Sequence, residues 1–73
     1  MDLARQKQII NNKVFDFNAT IGQYTGNTIK AEWFVYGGDC WKITRSDGKV
    51  IANYLDFDAV DLVINALSFY LGD

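Results

Sequence analysis

Along most of this chain apolar and polar residues alternate, and at both ends the alternation gives way to a longer period. From Val14 to Ile21, Phe15, Phe17, Ala19 and Ile21 fall on one side, with Asp16, Asn18 and Thr20 on the other. Period two over such a run predicts a half-buried strand. Thr28 to Tyr36 repeats it, setting Ile29, Ala31, Trp33 and Val35 against Lys30, Glu32, Phe34 and Tyr36. Two more strand-like runs follow, Cys40–Arg45 and Val50–Leu55. They are punctuated by Gly37-Gly38-Asp39 and by Ser46-Asp47-Gly48-Lys49. Asp-Gly between such runs signals a hairpin, because a type I′ turn wants positive φ at both central positions. A two-residue loop there sets Arg45 opposite Val50, Ile43 opposite Ala52 and Trp41 opposite Tyr54. At the glycine pair, a three-residue loop over Gly37–Asp39 sets Val35 beside Trp41 and Trp33 beside Ile43. That choice gathers Ile29, Ala31, Trp33, Val35, Trp41, Ile43, Ala52 and Tyr54 on a common face, and a one-residue slip would undo it.

The longer period belongs to helices. Asp2 to Asn12 predicts a short one with Leu3, Ala4, Ile9 and Ile10 as its apolar positions and Asp2 near its positive end. Phe57 to Asp73 predicts a second, with Asp58, Asp61, Asn65 and Ser68 forming its only polar stripe. Val60, Val63, Ile64, Leu67, Tyr70 and Leu71 lie on one side of that stripe, and Ala59, Leu62, Ala66 and Phe69 beside them. Asp56 or Asp58 caps this helix, and Gly72 stands where a terminal glycine stops one. The whole chain, residues 1–73, therefore predicts one α+β domain: a short N-terminal helix, a four-stranded antiparallel meander, and a C-terminal helix packed on one sheet face.

Such a domain has more apolar surface than it can bury. Phe34, Tyr36, Ile51 and Leu55 on the outer sheet face, with Ala59, Leu62, Ala66 and Phe69 on the helix flank, exceed what a monomer shows. Two apolar strips predict a homodimer or a tight complex with another protein. The candidate partner-binding residues are Phe34, Tyr36, Leu62 and Phe69, joined by Asp58 and Asp61 as an acidic face that would steer a basic partner. Replacing Leu62 and Phe69 with Ser is expected to weaken association and leave the monomer folded.

Composition removes most other chemistry. The chain has 73 residues, one cysteine and no histidine. An internal disulfide is impossible, and the commonest metal ligand and general base is missing. Cys40 has no histidine to activate it and reads as a small strand residue. Asp56, Asp58 and Asp61 read as helix-end carboxylates, and Trp33 and Trp41 as core. Hence no catalytic residue, metal site or cofactor is expected, and the protein is read as non-enzymatic. No apolar run approaches the ~20 residues that span a bilayer, and Met1-Asp2-Leu3-Ala4-Arg5 is not a signal-peptide start. The expected location is the cytoplasm.

Charge is uneven: residues 1–49 hold all the lysines and arginines, whereas residues 50–73 hold four Asp and no base. The net charge of −2 disfavours nucleic acid. The alternative function is nonetheless a small nucleic-acid-binding domain using the outer sheet face, where Lys30, Lys42, Arg45 and Lys49 accompany Phe34 and Tyr36.

The layout as a whole resembles small phage-encoded inhibitors of host defence, anti-CRISPR proteins in particular. The likeness lies in the short helix over 2–12, the aromatic strands, the Ser46–Lys49 hairpin, and a closing helix with Asp56, Asp58 and Asp61. It implies a cytoplasmic, non-catalytic protein that occupies a host nuclease or another defence protein. Strands 28–36, 40–45 and 50–55 followed by a helix are also similar in order to the three-strand-plus-helix DNA-binding domains of plant transcription factors and integrase amino-termini. Those domains carry a row of basic residues along the sheet, and few stand here.

Overall fold

A computed structural model describes residues 2–72. Its elements are α1 (Leu3–Phe17), a π-helical turn (Asn18–Gly22), the single turn α2 (Gln23–Thr25), β1 (Ile29–Val35), β2 (Asp39–Arg45), β3 (Val50–Leu55) and α3 (Phe57–Gly72). Asp73, with which the expected closing helix ends, lies outside the described residues. The class is α+β, and the sheet is an antiparallel meander of three strands in the order β1-β2-β3.

The expected fourth strand, Val14–Ile21, is instead the continuation of α1 and its π-helical turn. A second period runs through the same residues. Leu3, Ile10, Val14, Phe17 and Ile21 recur every seven, four, three and four positions, which places them on one helical face. No glycine or proline between Asn12 and Val14 interrupts the helix. That spacing buries Ile10 and Phe17, with Leu3, Val14 and Ile21 packed against them. Phe15, which a strand would have turned inward with Phe17, is 71% exposed. At the start of α1, the Asp2 carboxylate accepts the Arg5 N–H at 2.8 Å, satisfying one of the helix's free donors. At its far end Asn18 does the work of a strand residue. Its side-chain amide donates to the Ile29 carbonyl and its Oδ1 accepts the Ile29 N–H, both at 2.8 Å. The helical segment is thereby tied to the first residue of the edge strand β1.

The β1–β2 pairing sets Trp33 opposite Trp41 and Val35 opposite Asp39. The loop is Tyr36–Gly38, one residue earlier than expected, and Gly37 at φ 68° supplies its left-handed turn. The pairing slides by two residues from the expected one, and a two-residue slide keeps each side chain on its face. Trp33 is consequently on the expected side, but it stands on the edge strand, and only its neighbour Trp41 on the central strand is buried. Trp33 is partly exposed, donates through Nε1 to Asp39 Oδ1 at 3.1 Å, and lies under the Lys7 ammonium, 3.8 Å from the ring centroid.

In the β2–β3 pairing Ile43 faces Ala52 as expected, but Thr44 faces Val50 and Trp41 faces Leu55, in place of Arg45–Val50 and Trp41–Tyr54. One extra residue of β3 is accommodated on each side of Ala52. The turn contributes to this, because it is not type I′: Gly48 has φ 89° and Asp47 has no positive φ. Gly48 N–H donates to the Arg45 carbonyl at 2.9 Å and Arg45 N–H to the Lys49 carbonyl at 2.8 Å, closing a three-residue loop, Ser46–Gly48. The two irregularities exchange the faces of several side chains. Ile51 and Leu55, expected on the outer face, pack against the core. Tyr54, expected in the core, stands in solvent.

Both helices cover the same face of the sheet. Ile10 and Phe17 from α1, Ile29, Trp41 and Ile43 from the strands, and Val60 and Ile64 from α3 form one buried cluster, with the Phe57 ring tilted against Trp41 at 6.4 Å. The Asp56 carboxylate caps α3 by accepting the Ala59 N–H at 2.8 Å. Tyr70, expected on the core side, is exposed in the last turn of α3.

Candidate interaction surface

With α1 and α3 on one face, the other face of the sheet carries no covering element among the described residues. Its side chains come from β1 (Lys30, Glu32, Phe34), β2 (Cys40, Lys42, Thr44) and the irregular end of β3. Tyr54 is the one described residue other than glycine with positive φ, 55°. The left-handed conformation costs an ordinary L-residue about 1–2 kcal/mol. Asn53 helps to hold it, its Oδ1 accepting the Tyr54 N–H at 2.8 Å. The result is to carry the Tyr54 ring outward onto two others. It meets Phe34 at a centroid distance of 5.7 Å with planes at 73°, and Tyr36 at 5.1 Å with planes at 60°. These edge-to-face contacts contribute about 0.5–1.5 kcal/mol each, enough to offset the backbone strain. The cluster stays wet: Tyr36 is 70% and Tyr54 61% exposed, and only Phe34, flanked by Tyr54, is half-buried.

Polar groups border the rings. Lys30 Nζ lies 3.3 Å from Glu32, an exposed pair. Lys42 stands directly across from Glu32 in the register and forms no ion pair among the described residues. Glu32, Phe34, Lys42 and Asn53 line a shallow recess of about 160 Å³. The Cys40 thiol donates to the Tyr36 carbonyl at 3.6 Å, fastening the loop that carries Tyr36.

The sequence-derived residues divide into two places. Phe34 and Tyr36 belong to this aromatic cluster, which sequence reasoning left incomplete by assigning Tyr54 to the core. Leu62 and Phe69 lie on the outer side of α3, 69% and 78% exposed, away from the sheet. Asp58 is exposed in the first turn of α3, but Asp61 is paired with Lys13 of α1 and ties the two helices together. The two carboxylates therefore do not form one free acidic face. A further groove of about 290 Å³ lies beneath the end of α3, floored by Ile29, Ile51, Leu67 and Leu71. The guanidinium at its rim, Arg45, is already held by Asp47.

Among the described residues no group of three His, Cys, Asp or Glu is placed to hold a metal ion, and no helix is long and apolar enough to cross a membrane. In comparisons with protein-family models, with curated proteins and with solved structures, the chain matches none of them.

Proposed function

We propose that this is a non-catalytic interaction protein whose uncovered sheet face receives a protein surface, that of a second copy or of a foreign partner. The observation that carries this reading is Tyr54. Its left-handed backbone holds a residue that is 61% exposed beside two other rings, and backbone outliers of this kind cluster at sites of use. Exposed clustered aromatics are the residue class that anchors protein interfaces. The alternative, single-stranded nucleic acid, is less well supported by the same geometry. Successive bases need separate open ring faces and several phosphate contacts. Here the rings pack edge-on against one another, and Lys30 is engaged by Glu32.

The narrower reading, an inhibitor that occupies a host nuclease or another defence protein in the cytoplasm, belongs to the same proposal. It draws on small size, a lone thiol and the layout of the chain.

The test compares two variant pairs used as bait in a bacterial lysate. Tyr36→Ser with Tyr54→Gly removes the sheet-face rings, and Leu62→Ser with Phe69→Ser removes the helix stripe. Proteins captured by the wild type are expected to be lost by the first pair and kept by the second. The reverse pattern would move the working surface to α3. A nuclease among the captured proteins would support the inhibitor reading, and a set without any defence protein would count against it.

A further inference from the structure

We infer that the occupant of the open face is a second copy of this chain, docked sheet on sheet about a two-fold axis running along the strands between β1 and β2. This rests on the reading of that face as a protein-binding surface. The argument is one of charge and register. In an isologous pair each residue meets the partner's residue at the position related by the axis. Glu32 on β1 and Lys42 on β2 are cross-strand neighbours. An axis between those strands places Glu32 of each copy over Lys42 of the other, forming the same ion pair twice. It also places Phe34 over the partner's Cys40, since these two residues are likewise opposite in the register. An axis along β2 itself would set Lys42 against Lys42, a like-charge contact that disfavours the arrangement. Aligned sheets pack about 10 Å apart, a gap that facing rings and long side chains fill.

The remaining features agree with this geometry. The Lys30–Glu32 pair is exposed on both sides, with side chains 70% and 45% accessible, and such pairs are readily exchanged for another cation. With three strands and an axis between the first two, β3 lies beyond the partner's β1, so Tyr54 would pack along the edge of that strand, while Tyr36, in the β1–β2 loop, would face the partner's β1–β2 loop.

The experiment is sedimentation analysis of the wild type, Glu32→Lys and Lys42→Glu, each checked for folding by circular dichroism. The concentration runs up to about 100 μM, where an interface of micromolar Kd is saturated. The wild type is expected to be dimeric. Each single variant should be weakened at least about tenfold by like charges facing each other, and an equimolar mixture of the two should recover dimers containing one copy of each. Recovery on mixing cannot arise from the cross-strand contact within one chain. A wild type that stays monomeric, or a mixture that does, overturns the inference. If the wild type is monomeric yet the ring variants still lose a captured protein, the face binds a different partner and the proposed function stands. If it is monomeric and binds an oligothymidine that Tyr54→Gly abolishes, the face belongs to nucleic acid and both readings fall.

Discussion

Trp41 and Ile43 point from β2 into a layer sealed by two helices, whereas Cys40 and Lys42, both half-buried, belong to the opposite face of the same strand, beside three aromatic rings. The inner face is assembled by periodicity. Leu3, Ile10, Val14 and Phe17 on α1 and Val60 and Ile64 on α3 meet Ile29, Trp41 and Ile43 with no positive φ among these residues. The outer face depends on an irregularity: the left-handed Tyr54 turns one ring out and lets Leu55 turn in. Apolar side chains occur on both faces, so composition does not separate them. What separates them is whether burial or deliberate backbone strain holds each side chain in place.

The sharpest way to break the contrast is to empty the inner face. Ile43 is 0% exposed, and Ile43→Ala should cost about 2–5 kcal/mol in a urea titration, a large share of the stability of so small a domain. Tyr36→Ser on the outer face should cost less than about 1 kcal/mol by the same measurement. Equal losses would mean that the two faces are not different in kind. Next in size is Asn18→Ala, which removes both bonds to Ile29 and leaves that residue's N–H and carbonyl part-buried and unpaired. The expected loss is about 1–3 kcal/mol, with amide exchange at Ile29 accelerating more than at Ile43. An unchanged exchange pattern would show that the helix layer is anchored elsewhere.

Much of the inner face was legible in the sequence, and the misreadings have physical causes. The strands 28–36, 40–45 and 50–55, the closing helix and the Ile43–Ala52 pairing follow from alternation and from turn glycines. Residues 14–21 satisfied two periods at once, and the helical one prevails because it continues Leu3 and Ile10 and buries Phe17. Alternation could not reveal Tyr54, since a bulge is the failure of alternation. The one available signal was Asn53, a residue that disfavours regular strands and bonds to its own backbone. For the outer surface, Phe34 and Tyr36 could be named from the chain, but the ring that unites them could not.

A smaller effect sharpens the claim of strain. At an ordinary strand position alanine is more stable than glycine by about 0.5–1 kcal/mol. At φ 55° the order should invert, with Tyr54→Gly more stable than Tyr54→Ala by about 1 kcal/mol in thermal or urea unfolding. Both variants should lose association equally, because both lack the ring. If alanine is the more stable of the two, Tyr54 is not strained and the argument from its conformation fails.

The smallest expected effect lies at the turn that joins β2 and β3, and it concerns pH. The Asp47 carboxylate accepts from the Arg45 guanidinium and from the Lys49 N–H at 3.0 Å. The Arg45 hydrogen bond first, then the Lys49 N–H, lower its pKa from the ordinary carboxylate value to about 2. A group whose folded pKa is depressed adds stability that is complete above its unfolded pKa and is lost as pH falls through the folded one. Asp47 should therefore contribute fully above about pH 4 and fade toward about pH 2. The group is exposed, so its effect should be slight and reduced by salt. Comparing wild type with Asp47→Asn by thermal unfolding at several pH values, the gap should narrow between pH 4 and pH 2 and stay constant above. A gap that widens on acidification would mean that the carboxylate is not stabilised in the fold and that Gly48 alone sets the turn.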